Sequence, residues 1–95
     1  MTFHHMFLNT EDYKTHGNRV KVNPPLRSVE LQEKNLENLL NGKITVIGTD
    51  HAPHFLDEKN GSNPMSGIPA IPFWPKGISN LIKLGINKKL LYDLV

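Results

Sequence analysis

A capped amphipathic helix, a glycine turn and a β-branched run follow one another between Ser28 and Ile47, and this order constrains the fold more than any other feature. Ser28 is placed to accept from the free amides of a first helical turn, and Glu30 adds negative charge where the helix dipole favours it. Val29, Leu36, Leu39 and Leu40 recur at helical spacing, with Glu30, Glu33, Lys34, Glu37 and Asn38 on the other side. The pattern predicts a helix over Ser28 to Leu40, ended by Asn41-Gly42. Ile44-Thr45-Val46-Ile47 then reads as a strand. A helix, a tight turn and a strand in that order make an αβ unit of the kind that builds a parallel sheet.

The rest of the sequence divides at its prolines and glycines. Phe3 to Leu8 is short and apolar and reads as extended. The stretch Asn9 to Asn18 is polar, with Thr10-Glu11-Asp12 able to start one helical turn. Arg19-Val20-Lys21-Val22 alternates like a short strand, and Asn23, before Pro24-Pro25, is expected to be extended. Phe55 to Pro75 is rich in Gly, Pro, Asn and Ser and predicts a functional loop or lid. Gly77 to Leu84 and Asn87 to Val95 read as two amphipathic helices separated at Gly85, the second with Leu90, Leu91, Leu94 and Val95 on its apolar side.

With 95 residues and no cysteine, the chain makes at most one small domain, residues 1–95, without disulfides or thiolate-bound zinc. A domain of that size buries only about 60 to 65% of the surface of its unfolded form, so marginal stability is expected. The net charge of +2 comes from interspersed acids and bases rather than a basic block, which argues against nucleic acid as a partner. No apolar run approaches the ~20 residues of a membrane span, and the first residues lack a signal peptide's pattern. The expected setting is cytoplasmic.

Chemistry points to the end of the Ile44–Ile47 run. In parallel sheets ligands bind at the carboxyl ends of the strands, and here that end carries Asp50, His51 and His54. Carboxylate oxygens and imidazole nitrogens ligate zinc, and an Asp beside a metal-bound water can serve as general base. The residue types leave a second reading open, because Asp after a strand also forms Asx turns and helix caps. His4 and His5, adjacent on an extended segment, would face opposite ways, so at most one could look into a site. Asn23, set before two prolines, could donate to and accept from a planar amide. Arg27 could bind an anion or be merely exposed, and Trp74 could line a pocket or pack against a helix.

Taken in order, three of these segments resemble dihydroorotase, a family of the amidohydrolase superfamily. They are His4-His5-Met6-Phe7-Leu8, Lys21-Val22-Asn23-Pro24-Pro25-Leu26-Arg27-Ser28 and Gly48-Thr49-Asp50-His51-Ala52-Pro53-His54, followed by Glu58-Lys59 and Gly67-Ile68-Pro69. The resemblance implies an α/β fold, a C-terminal fragment making about the last two βα units of a zinc-dependent (β/α)8 TIM-type barrel. The reaction it implies interconverts dihydroorotate and N-carbamoyl-aspartate in pyrimidine synthesis. It also implies that Asp50 is both metal ligand and catalytic proton carrier, and that Asn23 and His54 contact the substrate. His4 and His5 are not metal ligands in that resemblance. The implied cofactor is a binuclear zinc site whose other ligands, a His-x-His pair, a bridging residue and two further histidines, are not in this sequence. The partners are then the small-molecule substrate and the missing part of the barrel, with aspartate transcarbamoylase an associate of some members of the family.

The sequence also departs from the family. Phe3 stands where proline is usual, and Ile68-Pro69-Ala70-Ile71-Pro72 replaces a stretch where Gly and Glu-Thr are common, within the divergent Ile68 to Pro75 loop. The expectation is an enzyme piece inactive by itself. The alternatives are a non-catalytic remnant or interaction module, or a piece of a related cyclic amidase such as allantoinase or dihydropyrimidinase.

Overall fold

The structure, a computed structural model, describes all residues 1–95. Six helices form: α1 (Phe3–Phe7), α2 (Asp12–His16), α3 (Val29–Leu40), α4 (Leu56–Asn60), α5 (Trp74–Lys83) and α6 (Lys88–Leu94), with 3-10 turns at Gly17–Val20 and Ile71–Phe73. None is long and apolar enough to cross a membrane.

The helix predicted over Ser28 to Leu40 is α3, and its cap is the expected one, with the Leu31 amide donating to Ser28 Oγ at 3.3 Å. Its Leu39 is fully buried, whereas Val29 is 39% exposed and contributes little to the apolar face. The two C-terminal helices also form. Asn87 caps α6 by accepting at Oδ1 from Lys89 and Leu90, at 3.0 and 3.1 Å. Helix α5 begins earlier than predicted, at Trp74, because Pro75 sits in the first turn, where a missing amide costs nothing.

The strands do not form. Ile44 to Ile47 is not part of a sheet; its edge is met by the first two residues alone, through one parallel bridge between Thr2 and Gly48. The Met1 ammonium donates to Val46 O at 3.0 Å and the Gly48 amide to Met1 O at 2.9 Å. On the other side the Ile47 amide donates to Leu94 O at 2.8 Å, so the end of α6 occupies the place of a neighbouring strand. A strand is defined by its neighbours, and here the chain supplies only a stub. Arg19 to Val22 likewise turns out to be a 3-10 turn to Val20 followed by extended Lys21 and Val22, with Val22 buried.

Two further expectations are corrected. Phe3 to Leu8 is the one-turn helix α1, held by Thr2, whose hydroxyl accepts from the His5 amide at 3.3 Å. The presumed loop of Phe55 to Pro75 contains α4 and the Ile71–Phe73 turn; α4 starts because Glu58 reaches back to accept from the Phe55 amide at 2.9 Å.

The main core gathers Phe3 and Met6 of α1, Leu39 of α3, Ile47, Leu81 of α5 and Leu94 of α6. Phe3 sits in a notch left by Gly77, where an added Cβ would lie 2.6 Å from its ring, and it meets Trp74 in a T-shaped pair with ring centroids 5.2 Å apart. A smaller cluster of Val22, Leu26 and Ile68 lies under the Asn23 bend. Gln32 ties α3 to α1 by donating to Met6 O at 2.7 Å.

Candidate functional site

Asp50 owes its position to the backbone. It has φ +47°, a left-handed conformation that Asp tolerates better than most residues, directly after Gly48-Thr49. The turn is steadied by the His51 amide, which donates to Thr49 Oγ1 at 3.3 Å. The Asp50 side chain, 53% exposed, faces an open polar cleft of about 480 Å³.

Three other elements line that cleft. The start of α1 contributes Met1, Thr2 and His5; the proline bend contributes Asn23, Pro24 and Arg27; α3 contributes Asn35. His5 fastens the first to the second. Its Nε2–H donates to Pro24 O at 2.7 Å, and its Nδ1 pairs with the Thr2 hydroxyl at 2.8 Å. The Asn23–Pro24 peptide within this bend is cis. Asp50, Asn23 and Arg27 therefore share one cavity.

His54 is elsewhere. Its Nδ1 lies 3.9 Å from Glu58 Oε2 near the start of α4, and it does not line the cleft. His51 accepts at Nδ1 from the Ile71 amide at 3.1 Å, so it anchors the loop. Trp74 packs in the core, where its indole nitrogen has no hydrogen-bond partner.

His4 sits beside this cleft rather than in its lining. On α1 it is buried, and its Nε2 stands 3.9 Å from Asp50 Oδ2, too far for a hydrogen bond. Neither ring nitrogen has a partner. Burial, with help from the neighbouring His5, lowers its pKa to about 4 against an opposing pull from Asp50, so the imidazole is neutral at pH 7. His4 also lines a second, apolar cavity of about 500 Å³, walled by Phe3, Phe7 and Phe73 with Arg19 and Lys76 among its basic residues. That larger cavity holds none of Asp50, Asn23 and Arg27. Of the two adjacent imidazoles only His5 lines the Asp50 cleft, while His4 lines the apolar cavity. Asn35 was hidden in the sequence, as one polar residue on a helix full of them.

The donor set does not hold zinc by itself. No three side chains of His, Cys, Asp or Glu converge anywhere in the chain, and a catalytic zinc takes three protein ligands. What the cleft can do with its own residues is bind a small polar molecule. It offers one carboxylate, one guanidinium and the amides of Asn23 and Asn35.

No family profile matches the chain. It is 40% identical over 94 residues to the dihydroorotase of Bacillus cytotoxicus (strain DSM 22905), an alignment covering 90% of this chain and 21% of that protein. It is 48% identical over 69 residues to the dihydroorotase of Staphylococcus aureus (strain Mu50), covering 73% of this chain and 16% of the relative. Against the dihydroorotase of Bacillus cereus (strain AH820) the identity is 39% over 94 residues, with 90% and 21% covered. These relatives make up a family of hydrolases. The chain belongs to the dihydroorotase family, and it spans about a fifth of the length of the curated relatives it matches.

Proposed function

We propose that this chain is the C-terminal part of a dihydroorotase, contributing Asp50 and Asn23 to a site that interconverts dihydroorotate and N-carbamoyl-aspartate. The observation that carries the reading is the shared cleft: residues from two separate motifs, Asp50 and Asn23, face one polar cavity with Arg27 beside them.

The chemistry of opening a cyclic amide matches that set. Water must lose a proton as it attacks the ring carbonyl, and the ring nitrogen must gain one as it leaves. The Asp50 carboxylate is suited to accept the first and deliver the second. Asn23 can both donate to and accept from the planar ring amide. Arg27 suits the substrate's carboxylate through its forked donors. Holding these groups in register is itself worth several kcal/mol of barrier in well-oriented reactions. Zinc, which the family resemblance implies, would need ligands from outside these residues, as would the remaining strands of a (β/α)8 barrel. His54 enters this reading only once those parts reset the loop that carries it.

The test is complementation. The isolated chain with added zinc is expected to close the ring of N-carbamoyl-aspartate no faster than background. Co-expressed with a bacterial dihydroorotase truncated to lack this region, it should restore turnover. Turnover by the isolated chain, or restored turnover that survives Asp50→Ala, would remove the proposal.

A further inference from the structure

Lys59 is a buried cation with no acid to pair with. The residue is 5% exposed and lies at the end of α4. Its Nζ donates to three backbone carbonyls, Lys21 O at 2.8 Å, Met65 O at 3.0 Å and Gly67 O at 2.7 Å, which uses all three ammonium hydrogens. Burial, and to a lesser degree the Lys21 charge, pull its pKa below the usual lysine value. An ammonium is costly to bury and is retained where hydrogen bonds hold it, so the clasp ties together the segments whose carbonyls it collects.

Those segments lead to both ends of the cleft. Lys21 stands two residues before Asn23, and its carbonyl also accepts from the Gly67 amide at 3.0 Å. On the far side of Gly67, Ile68 O accepts from the Ala52 amide at 3.0 Å, and Ile68 forms a parallel bridge with His51, next to Asp50. The crossing is too close for any side chain at Gly67: at φ +149° an added Cβ would fall 2.5 Å from Ala52 O and 2.8 Å from Ala52 Cβ. Two further bonds close the knot, Lys21 Nζ to Pro64 O at 2.5 Å and the Met65 amide to Glu58 O at 3.0 Å.

We infer that Lys59 is a positioning residue, which fixes the Asn23 segment against the Asp50 segment by clasping the Lys21, Met65 and Gly67 carbonyls. The importance of holding that pair rests on the proposed function, but the clasp itself can be tested without turnover. In the isotope-labelled chain, Lys59→Met removes the donors and keeps the apolar stem. Amide exchange at Gly67 and Ala52 should speed up at least tenfold, and the Asn23 side-chain amide and Asp50 backbone amide resonances should both move. Exchange at Leu39, Leu81 and Leu94 in the main core should stay within about threefold. Unmoved Asn23 and Asp50 resonances in folded Lys59→Met overturn the inference. If Lys59→Met does not fold, Gly67→Ala decides: it strikes the same crossing from the other side and must move the Asn23 side-chain amide, and an unmoved Asn23 overturns the inference there. Because neither readout is catalytic, loss of the reaction assignment would leave the result standing, and the converse holds too.

Discussion

The unpartnered imidazole of His4 is the residue whose behaviour is easiest to forecast. Its pKa falls from 6.5 to about 4 in the folded chain, so the unfolded state binds the extra proton between those values. The stability this residue contributes is fully present above pH 6.5 and is lost as pH falls toward 4, by up to about 3 kcal/mol at 1.36 kcal/mol per unit. Urea midpoints measured at pH 7 and pH 4.5 should show the drop, and His4→Leu should flatten that part of the profile. An undiminished pH dependence in the leucine variant would assign the effect to other groups. Asp50 permits a second residue-scale forecast, because Asn shares its shape and its tolerance of positive φ. Asp50→Asn should leave the unfolding free energy of the chain, from urea titration, within about 0.5 kcal/mol of the parent. In the complemented enzyme it should lower kcat by about 10²-fold or more, as loss of a proton carrier does. A kcat within twofold of the parent would count against Asp50 as that carrier.

Among the elements, the α1–α5 contact depends on what Gly77 lacks. The Phe3 ring fills the notch, and a methyl group there would stand 2.6 to 2.8 Å from three ring carbons. Gly77→Ala gains about 1 kcal/mol in helix propensity but forces Phe3 out of its place, an overpacking cost of about 1–3 kcal/mol. The expected net result is a lower melting temperature, with a change in the Trp74 fluorescence that reports on its T-shaped contact with Phe3; a raised melting temperature would mean that the ring shifts freely. What the sequence discloses follows the same local logic. Helices α3 and α6 are legible because Ser28 and Asn87 cap them and their leucines keep the period, all within a few residues. Helix α4 escapes notice because five residues carry no period and its start depends on Glu58. The Ile44–Ile47 strand fails for the opposite reason: its composition is right, but a sheet is made by neighbours that these residues cannot specify. At the site, Asp50 and Asn23 are legible as motif residues. The bond from His5 to Pro24, the place of Asn35 and the Lys59 clasp are not, since Pro24 lies 19 residues from His5 and Lys21 lies 38 from Lys59, and Asn35 is one polar residue among many on its helix.

The molecule as a whole exposes more surface than a compact monomer of its mass. Its accessible area is 6166 Å², against about 5500 Å² for a compact monomer of this mass, and its radius of gyration is 13.8 Å against about 12.4 Å. Large apolar side chains such as Phe55, Ile71, Phe73 and Tyr92 are more than half exposed. The edge that an added strand would cover is open along Val46, 58% exposed, where only Met1 and Thr2 pair with the chain. A surface of this kind is stabilised by whatever covers it, and binding to the folded form alone adds RT ln(1 + [L]/Kd), about 2.7 kcal/mol at a hundredfold excess over Kd. The chain's melting temperature should therefore rise with the concentration of an added dihydroorotase segment lacking this region. Val46→Lys, which puts a charge on the open edge without touching the core, should weaken that rise while leaving the melting temperature of the chain alone nearly unchanged. A melting temperature indifferent to the added segment would mean that the open edge and apolar surface do not receive it.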